Sequence, residues 1–287
     1  MVFVQILLDG LLLGGVYAVI ALGFSLVWGI MNIINVSHGA FVMLGAYATY
    51  WITTSSGLDP FMALPITMLI MFIVGGIVQR FIINYVIRAP AYITITLTFG
   101  LELLIVNLAL GAWTANFRSI TVSYSGARFF VGPFLFPYTR FFIFVSALVL
   151  TGLMHLFITR TKTGAAIRAT RMDLESARLN GVNVRRIYII TFGVGAALAG
   201  VAGGMIAITY PISPQMGFSY LAMSFIIAVL GGLGSMAGPL IGGLIFGLIE
   251  ALGSFLIGTG FKGIIAFTLL VIILLVRPSG ILGREYY

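Results

Sequence analysis

Long apolar segments recur along the whole chain and set the strongest limit on what it can fold into. A helix that crosses a bilayer needs about 20 mostly apolar residues. Only 8% of the residues are charged, against about 25% in soluble domains, so the chain lacks the polar surface of a water-soluble globule. We predict an all-α polytopic membrane protein with a single transmembrane domain over residues 1–287. Seven segments have the required apolar character: 5–28, 36–54, 62–86, 91–113, 137–158, 187–209 and 261–276.

A further apolar stretch, residues 218–252, is too long for a single crossing. The sequence GGLGSMAGP at 231–239 interrupts it. Glycine and proline at membrane depth are tolerated where the backbone packs on protein or lines a cavity. We therefore expect two short helices that meet near a membrane face. With this Gly-rich broken pair, the predicted number of transmembrane helices is eight or nine.

The basic residues predict the orientation, because cytoplasmic loops of membrane proteins are enriched in lysine and arginine. Segment 160–186 carries seven of the 15 basic residues and is predicted to be cytoplasmic. Loop 114–136 then lies outside although it carries Arg118 and Arg128, which is a modest exception to the rule. The N-terminus falls outside and the C-terminus inside. Counting crossings places four further arginines on the cytoplasmic side: Arg80, Arg88, Arg277 and Arg284.

The first apolar segment is expected to be a retained transmembrane helix. Residues 1–28 contain no lysine or arginine and include Asp9. A secretory signal peptide instead begins with a positive region and ends at a small-residue cleavage site. The chain has no cysteine, which excludes disulfides, thiolate metal sites and cysteine catalysis.

Glycines spaced by four residues predict close helix packing. Such spacing lets helix backbones approach each other in lipid, where no hydrophobic force brings helices together. The sets are Gly200/Gly204, Gly234/Gly238/Gly242 and Gly243/Gly247.

The basic segment also predicts a short cytoplasmic helix in TRMDLESARLNGVN, residues 170–183. Thr170 is its expected N-cap, with Asp173 three residues later as in a variant capping box. Gly181 is suited to the position after the helix end. Asp173, Ala177 and Gly181 are four residues apart and share one face, whose few side-chain atoms suit docking into a groove of a partner. The alternative is a solvated, charge-balanced connector.

The sequence RATRMDLESARLNGVN resembles the cytoplasmic loop of permeases in the branched-chain amino acid family of ATP-binding cassette (ABC) importers. That loop carries a small-residue motif with a fixed glycine and contacts the ATPase subunit. The Leu-Pro pair that ends the broader importer motif does not follow here. The resemblance assigns ATPase coupling to Arg168, Asp173, Glu175, Ala177, Gly181 and Asn183.

Three further stretches resemble the same family. Residues 21–47 are similar to its N-terminal signature, residues 228–250 to its Gly-rich C-terminal hairpin, and residues 274–284 to its usual ending. The resemblance spans about residues 5–284 at family-typical length and points to the shorter permease subunit.

The resemblance implies a multi-pass subunit of a bacterial or archaeal cytoplasmic membrane that is not itself an enzyme. Its implied partners are a second homologous permease, two ATP-binding subunits and an extracytoplasmic solute-binding protein, with lipid around it and no nucleic acid. No Gly-Lys-Ser/Thr phosphate loop or metal-ligand spacing occurs in the sequence, so ATP and Mg²⁺ are expected in the partner ATPases and no cofactor in this chain. Branched-chain or related hydrophobic amino acids are the expected solutes, with urea, short amides and other amino acids as alternatives.

Polar groups at membrane depth are candidates for the translocation path, because they are costly there. Glu102 lies in the middle of a span, where a charge costs about 2.5–3.5 kcal/mol on insertion scales. It is expected to contact solute or to hydrogen-bond Asn107 or a neighbouring helix. Glu250, Asp9 and Asp59 lie near span ends and are expected to be solvated. The candidate path residues are Asn32, Asn35, Ser37, His38, Gly39 and Glu102. The alternative role for this stretch is to cap two helix ends.

An ion-coupled secondary transporter is the alternative from a different class. Broken helices and acidic residues near the membrane midplane are typical of such proteins, and the 231–239 interruption and Glu102 fit in part. However, a single carboxylate within the membrane provides few groups for binding a coupling ion. A secondary transporter that acts alone would also have no partner for the cytoplasmic loop.

Overall fold

The structure is a computed structural model that describes residues 2–87, 89–235, 237–277 and 279–283. This part of the chain is predominantly helical, as predicted. Arg88 and Arg284, both predicted to be cytoplasmic, lie outside the described residues. The helices are α1 Val2–Met31, α2 His38–Ser56, α3 Pro60–Phe81, α4 Ala91–Trp113, α5 Tyr138–Arg160, α6 Lys162–Met172, α7 Leu174–Leu179, α8 Val184–Thr209, α9 Gly217–Gly231, α10 Gly238–Ile257 and α11 Lys262–Val276.

Helix length and composition agree with a membrane location. The 19-residue α2 and the shorter apolar segment Gly263–Val276 are additional helices. The interruption predicted at 231–239 is confirmed, because α9 ends at Gly231 and α10 begins at Gly238. Among the described residues, seven helical segments are long and apolar enough to cross a membrane: Val2–Met31, Pro60–Tyr85, Ala91–Trp113, Tyr138–Arg160, Val184–Thr209, Pro214–Gly231 and Gly238–Ile257.

The loop between α4 and α5 departs from the all-α prediction. Its strands β1 (Arg128–Val131) and β2 (Phe134–Pro137) pair antiparallel. Gly132 in the connecting turn has φ 60°, a left-handed conformation that glycine adopts without steric cost. Phe129 and Phe136 face each other across the pair with ring centroids 5.3 Å apart. The all-α prediction is therefore wrong in this loop, where a tight turn allows two short apolar segments to pair.

The helices α1 and α8 form the centre of the bundle. In their most apolar windows, 89% of α1 and 83% of α8 residues are buried, against 28% for each of α4, α5 and α10. Helix α1 packs against α10, α8 and α5, and α8 packs against α3 and α2. The apolar outer faces of the peripheral helices suit contact with lipid, in which an apolar side chain needs no burial in protein.

Helices α2 and α8 approach each other closely at glycine. A Cβ on Gly45 would overlap the backbone of Gly200, and a Cβ on Gly203 would overlap the carbonyl of Val42. A Cβ on Gly204 would contact Thr49. The predicted packing role of the 200/204 pair is therefore confirmed.

Glycine makes a second close approach between α1 and α10. A Cβ on Gly243 would overlap the backbone of Ala18, and one on Gly247 would overlap Gly10 and Gly14. Gly234 is different, because it lies in the turn between α9 and α10 with φ 75°. The four-residue spacing therefore corresponds to helix packing at Gly243 and Gly247. At Gly234, the first glycine of the 234/238/242 set, it corresponds to a turn.

We predict that Gly45→Ala destabilises the protein by about 1–3 kcal/mol. The added methyl group would overlap the backbone of Gly200, which cannot move aside as a flexible side chain can. The measurement is the thermal unfolding temperature in detergent. The matched control is Gly100→Ala in α4, where a Cβ would meet no atom within 4 Å and helix propensity favours alanine by about 1 kcal/mol. Equal unfolding temperatures for the two variants would contradict the α2–α8 contact.

Candidate functional site

The basic loop 160–186 folds into two consecutive helices, α6 and α7, between α5 and α8. Thr161 caps α6 by accepting a hydrogen bond from the Gly164 N–H at 2.9 Å. Asp173 caps α7, because its Oδ1 accepts from the N–H groups of Glu175 and Ser176 at 2.9 and 3.1 Å. A carboxylate is among the best N-cap groups.

The predicted N-cap, Thr170, is wrong. Thr170 lies within α6, is buried, and donates its hydroxyl hydrogen bond to the Ala166 carbonyl at 2.8 Å. The reason is that the residues before it are themselves helical, so the chain needs its new cap only at Asp173, where α6 has ended.

The end of α7 agrees with prediction. Gly181 has φ 79°, and its N–H donates to the Arg178 carbonyl at 2.9 Å, while the Val182 N–H donates to the Ala177 carbonyl at 3.0 Å. This pair of bonds is the Schellman arrangement, in which a left-handed glycine satisfies the last helical carbonyls. Gly181 therefore sets the direction in which the chain leaves α7.

The face of α7 that carries Ala177 points into the protein. Ala177 is only 4% exposed, whereas Leu179 is 89% and Met172 88% exposed. A partner that approaches the loop would meet these two apolar side chains, with Glu175 and Arg178 also exposed beside them. Sequence reasoning named the small residues of this loop but not Met172 or Leu179. Two bulky apolar residues in a highly charged loop are visible in the sequence and could have been named as a contact surface.

The remaining predicted coupling residues have structural contacts. The Arg168 guanidinium donates to the Ile158 carbonyl near the end of α5, which fixes α6 against that helix. Asn183 caps α8 by accepting from the Arg186 N–H at 3.1 Å. Hydrogen bonds from Ser176 hold the pKa of Asp173 below its usual value. The loop is thus a capped, hydrogen-bonded unit that joins α5 to α8.

The polar residues predicted for the path gather mainly at the start of α2. A ring nitrogen of His38 lies 3.0 Å from the Ile20 carbonyl, and the Ser37 hydroxyl donates to Asn35 Oδ1 at 2.7 Å. Gly39 lies against the backbone of Gly217. Asn32 follows α1 with φ 54° and is exposed.

Glu102 belongs to the same buried cluster. Its Oε2 accepts a hydrogen bond from the Ala40 N–H at 3.0 Å, so it satisfies one of the free N–H groups in the first turn of α2. Asn107 instead donates to the Leu103 carbonyl of its own helix at 2.7 Å. Of the two hydrogen-bond partners expected for Glu102, the structure therefore shows the one on a neighbouring helix, the Ala40 N–H of α2, and not Asn107.

A cavity of about 350 Å³ lies elsewhere, between α1, α5, α8, α9 and α10. Arg140 near the start of α5 and Thr209 at the end of α8 line it, so it lies toward the face opposite loop 160–186. Its wall is mainly apolar. The polar side chains among its lining residues are Tyr17, Arg140, Thr209, Tyr210, Tyr220 and Glu250.

Sequence reasoning did not predict this cavity. Glu250 was expected to be solvated near a span end, but it is 3% exposed, because α10 is longer than the apolar stretch suggests and places Glu250 inside the bundle. The predicted path residues are not on the cavity wall. Asp9 is not one of the lining residues, but its Oδ1 is 3.5 Å from Nη1 of Arg140, which is. Within the described residues, no group of three His, Cys, Asp or Glu side chains has an arrangement that would hold a metal ion.

A bundle of apolar helices with an internal cavity on one face and a structured basic loop on the other is the architecture of a polytopic membrane protein. The family model described as "Branched-chain amino acid transport system / permease component" matches residues 6–274. The chain therefore belongs to this family, as the sequence motifs predicted, and is a multi-pass membrane protein.

Two relatives match nearly their whole length. The chain is 35% identical over 297 residues to the high-affinity branched-chain amino acid transport system permease protein BraD of Pseudomonas aeruginosa, covering 98% of this chain and 96% of BraD. It is 35% identical over 306 residues to the permease protein LivH of Escherichia coli K12, with the same coverage. LivM of that strain is 25% identical over 300 residues, covering 93% of this chain and 68% of LivM. No solved structure matches the chain.

We predict that Glu102→Ala lowers the free energy of unfolding by about 1–3 kcal/mol, because the buried Ala40 N–H loses its acceptor. Glu102→Gln retains an acceptor oxygen and is expected to lose less. Thermal unfolding in detergent measures both. An unchanged unfolding temperature for Glu102→Ala would contradict the role of this side chain at the start of α2.

We predict that Asp173→Ala speeds hydrogen exchange of the Glu175 and Ser176 amides, because both lose their acceptor. Since the folded pKa of Asp173 is lowered, the cap is complete at neutral pH and is lost as the pH falls through that lowered pKa. The measurement is the amide hydrogen-exchange rate of α7 compared with that of α6. The control is Glu175→Gln, which leaves the Asp173 side chain and its hydrogen bonds to the backbone in place. Equal protection of α7 in Asp173→Ala and the wild type would refute the cap.

Proposed function

We propose that this chain is the transmembrane permease subunit of an ATP-driven importer for branched-chain or related hydrophobic amino acids. The observation that carries the proposal is the family match over residues 6–274, together with near-full-length similarity to BraD and LivH. The subunit forms part of the translocation path and is not itself an enzyme. ATP and Mg²⁺ act in partner subunits.

We propose nine crossings, formed by α1–α5 and α8–α11, with the N-terminus outside and the C-terminus in the cytoplasm. The turn between α9 and α10 supports this count, because Gly234 lies against Arg171 of α6, on the side of the basic loop. The Ile281 N–H donates to the Leu230 carbonyl at 2.8 Å, so the C-terminal segment returns to the same side. Both contacts lie on one face because an even number of crossings, α10 and α11, separates this turn from the C-terminal segment.

The importer is proposed to contain a second, related permease, two ATPase subunits and an extracytoplasmic solute-binding protein. The similarity of the chain to both LivH and LivM, each named as a permease protein of one transport system in E. coli K12, supports a paired arrangement. The binding protein would deliver solute to the face that carries loop 114–136.

The loop formed by α6 and α7 is proposed to couple the ATPases to the path. Met172 and Leu179 would insert into the ATPase surface, since they are the most exposed apolar side chains of the loop. Ala177 would seat α7 on its own subunit, and Asp173 and Gly181 would define the two ends of the helix. A movement of the ATPases would displace α6 and α7, and with them α5 and α8, which are connected directly to the two ends of the loop.

The path itself is proposed to alternate between outward- and inward-facing states that bind solute differently, as any ligand- or nucleotide-driven shift requires. The cluster of Asn35, Ser37, His38 and Glu102 is assigned to holding the junction of α1 and α2, because its polar groups already contact one another or the backbone. Asn32 is exposed at this cytoplasmic junction.

The test is uptake of radiolabelled leucine by proteoliposomes that contain this chain, its second permease and both ATPases, with the binding protein outside. We expect uptake that requires internal ATP and that valine and isoleucine reduce by competition. Urea and short amides serve as alternative solutes. Uptake driven by a proton or sodium gradient with this chain alone would overturn the proposal in favour of a secondary transporter.

We predict that Leu179→Asp reduces retention of the ATPase subunits on the purified permease pair at least about tenfold, because a charge replaces an apolar anchor at the interface. The control is Phe130→Asp in β1, which is 70% exposed in the loop at the opposite end of α5. Full retention of the ATPases by Leu179→Asp would contradict the proposed docking face.

A further inference from the structure

A second cavity, of about 410 Å³, lies where α3 and α5 begin. Its wall, which we call the Asp59 cavity, combines one carboxylate with four aromatic rings: Asp59, Phe61, Tyr124, Tyr138 and Phe142. We propose that the Asp59 cavity binds the headgroup of a phospholipid that carries a primary ammonium group, such as phosphatidylethanolamine. Lipid binding at this site does not depend on whether the chain works in an importer.

The Asp59 cavity lies on the face opposite the basic loop. Helix α5 begins at the cavity with Tyr138 and ends at Arg160, where the loop starts. The far end of α3 is close to the loop, because Asn84 and Arg185 line a common pocket there. The cavity is therefore on the side that carries loop 114–136, at the ends of two long apolar helices.

Asp59 supplies the negative charge of the site. It is the N-cap of α3, where its Oδ1 accepts from the Phe61 N–H at 2.9 Å, and its Oδ2 accepts from the Tyr124 hydroxyl. Both donors are neutral groups. In the described part of the chain, the ion pair that is present joins Arg140 to Asp9 and does not involve Asp59. Since a carboxylate has about four acceptor positions, Asp59 retains capacity for an ammonium N–H.

The aromatic rings suit an organic cation. Tyr138 and Phe142 stack with an interplanar angle of 16°, and the edge of one ring meets the other between Phe61 and Phe142, with centroids 6.2 Å apart. The faces of aromatic rings attract ammonium groups, and clusters of such rings recognise them. Aromatic residues also act as anchors at membrane interfaces, but an anchor needs no carboxylate among its rings.

The surroundings of the cavity favour a lipid over a free solute. In the most apolar windows of Pro60–Tyr85 and Tyr138–Arg160, 33% and 28% of the residues are buried, so both helices are mainly exposed. Exposed apolar side chains continue along them from the cavity: Ile66, Leu69 and Ile73 on α3, and Val145, Val149 and Leu153 on α5. The acyl chains of a bound lipid would contact these side chains, whereas a small solute would leave them uncovered.

Arg128 is placed to contact the phosphate of the same headgroup. It is exposed on β1 and pairs with Pro137, the residue directly before Tyr138. A guanidinium binds phosphate oxygens in bidentate geometry. Arg128 is also one of the arginines in loop 114–136 that depart from the usual distribution of basic residues. A phosphate contact gives this arginine a role that the orientation of the chain does not.

Native mass spectrometry of the full chain, purified in detergent and mixed with lipid, tests the site. Two lipids with identical acyl chains are compared: phosphatidylethanolamine, and its N-acetyl derivative, which keeps the phosphate but lacks the ammonium group. The measured quantity is the ratio of the affinities for the two lipids. Comparing this ratio between wild type and variants removes the contribution of lipid sites elsewhere on the protein.

Asp59→Asn should lower the affinity ratio at least about threefold, because the ammonium group loses its charged partner and retains only the rings. Asparagine is as good an N-cap as aspartate, so α3 is expected to stay capped. The matched control is Asp9→Asn, which removes another acidic charge outside the cavity. A wild-type ratio in Asp59→Asn, or an equal fall in Asp9→Asn, would overturn the inference.

Arg128→Gln should lower the affinity for phosphatidylethanolamine at least about threefold, because the phosphate loses a bidentate donor. The control is Arg178→Gln, which removes an exposed arginine of α7 at the opposite face. Wild-type affinity in Arg128→Gln would refute the phosphate contact.

Millimolar leucine distinguishes a lipid headgroup from a free ammonium solute. We expect leucine to leave the binding of phosphatidylethanolamine to the wild type unchanged, because leucine lacks the acyl chains that contact α3 and α5. Displacement of the lipid by leucine in the wild type but not in Asp59→Asn would assign the cavity to a soluble ligand and overturn the lipid site.

Discussion

The close approach of helix backbones at glycine is the contact on which the rest of this structure depends. In lipid, helices gain little from burying apolar side chains against each other, so association relies on tight packing. Gly45 against Gly200 fixes α2 on α8, and Gly247 against Gly14 fixes α10 on α1. A third approach, Gly23 against the Gly195 carbonyl, joins the central helices α1 and α8 to each other. The walls of the cavity and the positions of α5 and α8, the two helices that flank the basic loop, depend on these contacts.

Two buried carboxylates illustrate how this framework gives similar residues different roles. Glu102 lies beside the first turn of α2 and accepts a hydrogen bond from Ala40, where the positive end of the helix dipole favours a negative charge. Glu250 lies on the wall of a cavity with Arg140 and Tyr17. Both residues occur in apolar helical runs, and the sequence pattern around them is alike. Only their neighbours from distant parts of the chain separate a carboxylate that accepts a helix N–H from one that lines a cavity.

The basic loop combines two functions that require different residues. Its arginines are consistent with a cytoplasmic location through the distribution of charge, whereas its shape comes from local hydrogen bonds at Asp173 and Gly181. The small residue Ala177 faces inward and allows α7 to pack on its own subunit. Met172 and Leu179 are exposed and are the proposed contacts for a partner. A small-residue motif in such a loop can therefore serve the seating of the helix rather than the contact itself.

The sequence alone determined the membrane class, the helical segments, the break between α9 and α10, and the family, because these depend on composition, apolar run length and local turn chemistry. Gly181 is predictable for the same reason, since its left-handed conformation is set by adjacent residues. The hairpin at Arg128–Pro137, the cap at Asp173 and the burial of Glu250 were not predicted. For the hairpin and the cap, several local conformations have similar free energies, such as a cap at Thr170 or at Asp173, and the sequence does not show which is most stable. The cavity depends only on the tertiary structure, because its wall joins residues from five helices that are up to about 240 positions apart in the chain, such as Leu12 and Glu250, and no local pattern records which of them meet.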